Sequence, residues 1–277
     1  MGQSLKNISQ FGGNPGMLKM YLYVPKKIDN SKKPPLVLVL HGCTQTAKSI
    51  GEATGWNKLA DSLGFIVLYP EQRMVNNVSK CFNFFIGMKA KKDKGEVASI
   101  KNMINYTSNK YKIDQSKVFI TGMSAGAGMS NVLLNAYPEM FNAGALLAAP
   151  PILLDGLNEK SKIVPKIVII QGDEDNVTTP NMGEKVLTQW IKKNKIDSTN
   201  FIVDDNFMRN NLLKTKSFYN SKKELKIIML NIKNTGHKVL INPGDDIKHG
   251  GRPGVYTKDI GFHSTYWIAD FFGLIHD

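Results

Sequence analysis

Three scarcities bound this chain before any motif is read. No apolar run approaches the ~20 residues that a membrane-spanning helix requires, so no span is expected. Cysteine is nearly absent: Cys43 and Cys81 are the two present, too few for a disulfide scaffold and without zinc-ligand spacing, which leaves room for one structural bridge. Arginine is scarce too. Arg73, Arg209 and Arg252 are the arginines in a pool of 36 Lys+Arg that outweighs 23 Asp+Glu and gives a formal charge of +13. Phosphate and base recognition favours the guanidinium fork, so this lysine excess reads as a solvated surface and no nucleic-acid partner is expected. The start, Met1-Gly2-Gln3-Ser4, lacks the basic, apolar and small-residue pattern of a secretory signal.

What is present is an ordinary globular composition, 42% hydrophobic and 21% charged over 277 residues, which suits one domain over residues 1–277. Short apolar runs alternate with helical periodicity. Strands are expected at Met17–Val24, Leu36–Leu40, Phe65–Tyr69, Val118–Thr121, Ala143–Ala148, Ile167–Ile170 and Leu225–Leu230. The run LVLVL at Leu36–Leu40 has the continuous apolarity of a strand buried on both faces. Helices are expected at Gly51–Ser62, Glu96–Lys110, Ala125–Tyr137, Asn181–Lys193 and Ser264–Phe272. This alternation predicts an α/β fold with a mainly parallel sheet and helices on both faces. The polar stretch Asp204–Lys223 reads as a surface excursion before the last strand, or as a small lid.

The most informative stretch is Val118 to Gly128, which contains Gly122-Met123-Ser124-Ala125-Gly126. G-x-S-x-G between a buried strand and a helix is the context of a nucleophile elbow. The glycines let strand and helix approach, and Ser124 is presented at a helix N-terminus that favours developing negative charge. Acyl transfer then needs two oxyanion donors, one from the residue after the nucleophile and one from the turn after an earlier strand. Ala125 and, in the turn His41-Gly42-Cys43-Thr44, Cys43 fill these places. His41 reads as shaping that turn.

In this architecture the acid and then the base follow the serine along the chain. Asp175 is favoured among Asp173, Glu174 and Asp175, which follow the Ile167–Ile170 strand. His237, directly after the last core strand, is the expected base. His249 is the reserve, His263 reads as structural, and His276 as exposed and terminal. With these three residues in place, the chemistry is acyl-enzyme formation and hydrolysis, with no metal or organic cofactor required.

The chain resembles the catalytic domain of polyhydroxybutyrate depolymerases and the related feruloyl and acetylxylan esterases. The likeness runs nearly end to end. It includes Asn14-Pro15-Gly16-Met17, Leu38-Val39-Leu40-His41-Gly42-Cys43-Thr44-Gln45, Gly55-Trp56-Asn57, Tyr69-Pro70-Glu71-Gln72, Cys81-Phe82-Asn83, the Gly122–Gly126 elbow, Gly236-His237 and Ser264-Thr265-Tyr266-Trp267. The resemblance implies an α/β-hydrolase with Ser124, Asp175 and His237 as triad and Cys43 and Ala125 as oxyanion donors. It implies secreted or periplasmic residence and esters of short hydroxyacids as substrate. It also implies a Cys43–Cys81 disulfide, against the alternative of two free buried thiols.

Relatives that attack solid polymer carry a further binding domain, whereas this sequence ends shortly after Phe272-Gly273. The expected substrate is therefore 3-hydroxybutyrate oligomer or amorphous polymer. Feruloyl or acetyl esters on polysaccharide are the alternative, and a silent binding protein on the same fold is the reading from another class. Trp56, Phe84 and Trp190 are the aromatic positions expected at a substrate pocket, with core packing as the competing role. Phe84 stands where many relatives have tryptophan.

Overall fold

A computed structural model describes residues 4–26, 28, 32–87, 90–153 and 161–275. Among these residues twelve strands follow one another: β1 (Lys6–Ile8), β2 (Lys19–Tyr23), β3 (Leu36–Leu40), β4 (Ile66–Glu71), β5 (Val118–Met123), β6 (Ala143–Leu147), β7 (Lys166–Gly172), β8 (Phe201–Asp204), β9 (Leu213–Tyr219), β10 (Leu225–Ile232), β11 (Val239–Ile241) and β12 (Thr257–Asp259). The first ten form one sheet in the order β1-β2-β4-β3-β5-β6-β7-β10-β9-β8. The central strands β4, β3, β5, β6, β7 and β10 run parallel. Antiparallel pairs close both margins, β1 and β2 on one side and β9 and β8 on the other.

Among the described residues six α-helices cover the sheet: α1 (Ala47–Thr54), α2 (Trp56–Leu63), α3 (Gly95–Tyr111), α4 (Ala125–Ala136), α5 (Pro180–Asn194) and α6 (Ser264–Phe272). The period-two geometry of a strand sorts β3 cleanly. Leu36, Leu38 and Leu40 join one core cluster with α3, α4 and α5, while Val37 and Val39 join a second with α1, α2 and α6. Each such side chain contributes about 1.5–3 kcal/mol by leaving water, which is why the run has no polar member.

Two expectations are corrected. The helix expected over Gly51–Ser62 is two helices. Gly55 ends α1 in the left-handed region (φ 78°), and a Cβ there would lie 2.8 Å from Gly251 N, so the chain turns where glycine alone fits. The stretch Asp204–Lys223 is a surface excursion only in part: between the end of β8 and the whole of β9 it holds a largely exposed turn around Phe207–Arg209. Leu213, Thr215 and Phe218 are buried while Lys214 and Lys216 are only half-buried. Lys214 and Lys216 alternate with Leu213 and Thr215 along the strand, and they mask it when the sequence is scanned for polarity.

Candidate active site at the carboxyl edge of the sheet

β5 passes into α4 through one residue. Ser124 has φ 56° and ψ −122°, a conformation that a non-glycine residue holds only when its surroundings impose it. Its N–H donates to Leu147 O (2.9 Å) and its carbonyl accepts from Gly128 N–H (2.9 Å). The flanking glycines are required by contact. A Cβ on Gly126 would lie 2.3 Å from Leu40 O, and one on Gly122 2.5 Å from the Gly126 backbone. Ser124 gives α4 no side-chain cap, so the first-turn amides, Ala125 among them, keep no intrahelical partner.

The turn after β3 lies against this elbow: a Cβ on Gly42 would sit 3.5 Å from Ser124 Cβ. Its N–H groups are assigned in turn. Gly42 N–H donates to Gln45 Oε1 (2.8 Å) and Thr44 N–H to Ser79 O (2.6 Å), whereas Cys43 N–H has no hydrogen bond among the described residues. Cys43 is joined to Cys81 by a disulfide. His41 beneath the turn is fully buried. Gln72 N–H donates to its Nε2 (3.0 Å), so the ring proton is assigned to Nδ1, which donates to Gly42 O (2.7 Å). Burial pushes the imidazole below its ordinary value, with the Gly42 hydrogen bond opposing. With both nitrogens engaged, His41 cannot serve as a base.

Asp175 follows β7 and His237 follows β10, so both stand at the same carboxyl edge as Ser124. The Asp175 carboxylate is wholly buried yet fully met by donors. Oδ1 accepts from Val177 N–H and Thr178 N–H, each at 2.8 Å. Oδ2 accepts from Thr178 Oγ1 (2.9 Å) and from His237 Nδ1 (2.7 Å). That bond fixes the His237 tautomer and leaves Nε2 as the open acceptor. Asp173 supports the arrangement by accepting from Thr235 N–H (3.2 Å). No hydrogen bond links Ser124 Oγ to His237 among the described residues; such contacts are often open in unliganded sites and tighten around substrate.

The other histidines lie elsewhere. His263 is buried with Nε2 at 2.9 Å from Thr54 O, and burial pushes it below its ordinary value. His249 sits in a loop whose carbonyls at Gly244, Asp246 and His249 accept from Lys58 Nζ. His276 falls outside the described residues.

Two of the three aromatic expectations are corrected. Trp56 is 1% exposed and stacks on Phe272. Trp190 is 1% exposed and donates from Nε1 to Asn131 Oδ1 (3.0 Å). Both are core residues, because helical spacing turned them toward the sheet. Phe84 is half-buried, and its ring lies 2.8 Å from where a Gly128 Cβ would be, one turn into α4. Two contributors escaped the sequence. Thr178, which braces Asp175, had only its three-residue spacing as a signal. Buried Glu96, at the start of a helix, carries no sequence signal of its burial. Among the described residues no cluster of His, Cys, Asp and Glu could hold a metal ion, and no helix is long and apolar enough to cross a membrane.

A parallel sheet flanked by helices, with a strained serine turn and an Asp–His pair at one edge, defines the α/β-hydrolase class. An acetyl xylan esterase from Aspergillus awamori shares the fold, with a TM-score of 0.78 at 23% identity over 99% of this chain and 100% of the other. The family model for esterase PHB depolymerase matches residues 18–152. Poly(3-hydroxyalkanoate) depolymerase C of Paucimonas lemoignei is 31% identical over an alignment of 301 residues, which takes in 98% of this chain and 70% of that protein. The chain therefore belongs to the PHB depolymerase family of carboxylic ester hydrolases. Acetylxylan esterase A of Aspergillus oryzae is 37% identical over 151 residues, 53% of this chain. That alignment spans 47% of the fungal esterase, less than half of its length.

Proposed function

We propose that the protein hydrolyses carboxylic esters through a Ser124–His237–Asp175 triad, with the N–H groups of Cys43 and Ala125 holding the oxyanion. The observation that carries this reading is the 2.7 Å bond from His237 Nδ1 to Asp175 Oδ2, at the sheet edge where Ser124 is held in a strained turn. Asp175 keeps the imidazole proton on Nδ1, so Nε2 is free to take the Ser124 proton as Oγ attacks the ester carbonyl. The carbonyl oxygen becomes an anion between two amides that have no other hydrogen-bond partner among the described residues. His237 returns the proton to the leaving alcohol, and water, activated the same way, releases the acid from the acyl-enzyme. No step calls for a metal or organic cofactor.

The substrate we favour is an ester of short 3-hydroxyacids, as oligomer or amorphous polymer. Likeness to the Paucimonas lemoignei depolymerase over nearly the whole chain supports it. So do the exposed apolar side chains on loops that follow the carboxyl ends of strands: Val78, Phe85 and Ile86 after β4, Leu153 after β6, and Val177 after β7. The second reading, acetyl or feruloyl esters on polysaccharide, is supported by the 37% identity to acetylxylan esterase A over about half the chain. The Cys43–Cys81 bond supports a secreted or periplasmic home, where disulfides persist.

Short p-nitrophenyl esters are expected to be cleaved, and Ser124→Ala to lower kcat by about 10⁴-fold or more. Mass-spectrometric product analysis with 3-hydroxybutyrate oligomers, acetylxylan and methyl ferulate separates the substrate readings. Turnover unchanged in Ser124→Ala overturns the mechanism, and absence of turnover on every ester favours a silent binding protein.

A further inference from the structure

We infer that Glu96 is a positioning residue for the oxyanion turn, acting through Gln72 and His41 on one side and through Asn83 and Cys81 on the other. This rests on the ester-hydrolase reading above and adds to it a group remote from the reacting atoms.

Glu96 stands in the first turn of α3 and is 1% exposed. A carboxylate in that place has lost its water and must be met by donors. It accepts from Gln72 Nε2 (2.8 Å), from Asn83 Nδ2 (2.5 Å) and from Asn83 N–H (2.9 Å). The N-terminus of α3 adds positive potential. All three donors belong to the segment after β4 that wraps the His41–Thr44 turn.

From Gln72 the chain of contacts leads directly to the turn. Its side chain donates to Cys81 O as well (3.2 Å), and its backbone N–H donates to His41 Nε2 (3.0 Å). His41 Nδ1–H then holds Gly42 O (2.7 Å). That oxygen and the Cys43 N–H belong to one planar peptide group. Fixing the carbonyl therefore fixes the direction of the N–H on the opposite side, and a hydrogen bond to the carbonyl strengthens the N–H as a donor. From Asn83 the second route runs two residues back to Cys81 and across the disulfide to Cys43. Glu96 thus ties together the two supports of a single peptide plane.

Glu96→Gln keeps the shape but presents an amide N–H to groups that are themselves donors, and Glu96→Ala removes the acceptor. Both are to be compared with the parent on p-nitrophenyl butyrate for kcat and KM, with active sites counted by burst titration and free thiols counted to show the disulfide intact. The expected result is a kcat per active site lowered about tenfold to a hundredfold, with KM within about twofold, as for a weakened oxyanion donor. Inactivation by a p-nitrophenyl phosphonate, which uses the same two amides, is expected to slow in parallel. Unchanged kcat per active site overturns the proposal, even if fewer molecules are active or the melting temperature falls. Should neither Glu96 variant fold, Gln72→Ala, which cuts the same link, decides by the same criteria. Failure here with Ser124→Ala inactive leaves the triad standing; turnover in Ser124→Ala removes the triad itself.

Discussion

The half of the molecule that carries Ser124 and the His41–Thr44 turn is built differently from the half that carries Asp175 and His237. In both, backbone lies on backbone: a Cβ on Gly126 would lie 2.3 Å from Leu40 O, and one on Gly172 2.1 Å from Thr235 O. The difference lies in what surrounds the serine turn. A disulfide and a buried network through Gln72, Asn83 and Glu96 then clamp the turn. In the second, Asp175 is braced by its own turn through Val177 and Thr178. The two loops are joined by the Asp175–His237 bond, by the contact of Thr178 Oγ1 with His237 Nδ1, and by Thr235 N–H donating to Asp173 Oδ1. Oxyanion stabilisation depends on where two amides point and so constrains the backbone, whereas an acid and a base need only reach the serine by their side chains.

The largest effect that tests this contrast is expected from Asp175→Asn. With the carboxylate gone the His237 tautomer is no longer held, and kcat is expected to fall by about 10³–10⁴-fold while the fold persists. A loss below tenfold, read by p-nitrophenyl ester kinetics, would mean that another group orients the imidazole.

A smaller but sharper comparison sets Gly126→Ala beside Gly236→Ala. The new methyl group at 126 would lie 2.3 Å from Leu40 O, whereas at 236 the nearest atom is Glu174 O at 3.6 Å. The first is expected to lower kcat at least about tenfold by displacing an oxyanion amide, and the second to stay near the parent. Equal sensitivity at both positions would mean that the room for the new methyl group does not decide the effect.

An effect read mainly in stability is expected from Cys43→Ser combined with Cys81→Ser. The bridge closes a 38-residue separation, and its loss is expected to lower unfolding free energy by about 2–4 kcal/mol. Chemical denaturation checks this, with reduced thermal stability alongside measurable esterase activity. An unchanged denaturation midpoint would show that the clamp is redundant with the buried hydrogen bonds.

The sequence made legible those parts whose physics is local. LVLVL declares a strand buried on both faces, and G-x-S-x-G between strand and helix declares a turn with no space for side chains. The order of serine, acid and base named three residues that the topology brings to one edge. What stayed hidden depends on neighbours distant in sequence. The lysines of β9 mask its buried Leu213 and Phe218, because the strand, set between β10 and β8 near the margin of the sheet, is only half-buried at its lysine positions. Trp56 and Trp190 look equally suited to pocket and core, and only the packing of α2 and α5 against the sheet assigns them to the core. Glu96 is unremarkable on paper, since its meaning comes from Gln72 and Asn83 folding over it.

The central claim is that Ser124 is the hydroxyl that His237 activates. Treating the protein with a p-nitrophenyl phosphonate and mapping the adduct by peptide mass spectrometry tests it most directly. The account predicts one adduct per chain, on Ser124, formed in step with the loss of esterase activity and absent from His237→Ala. An adduct on another residue, or full esterase activity in a protein wholly labelled at Ser124, would contradict it.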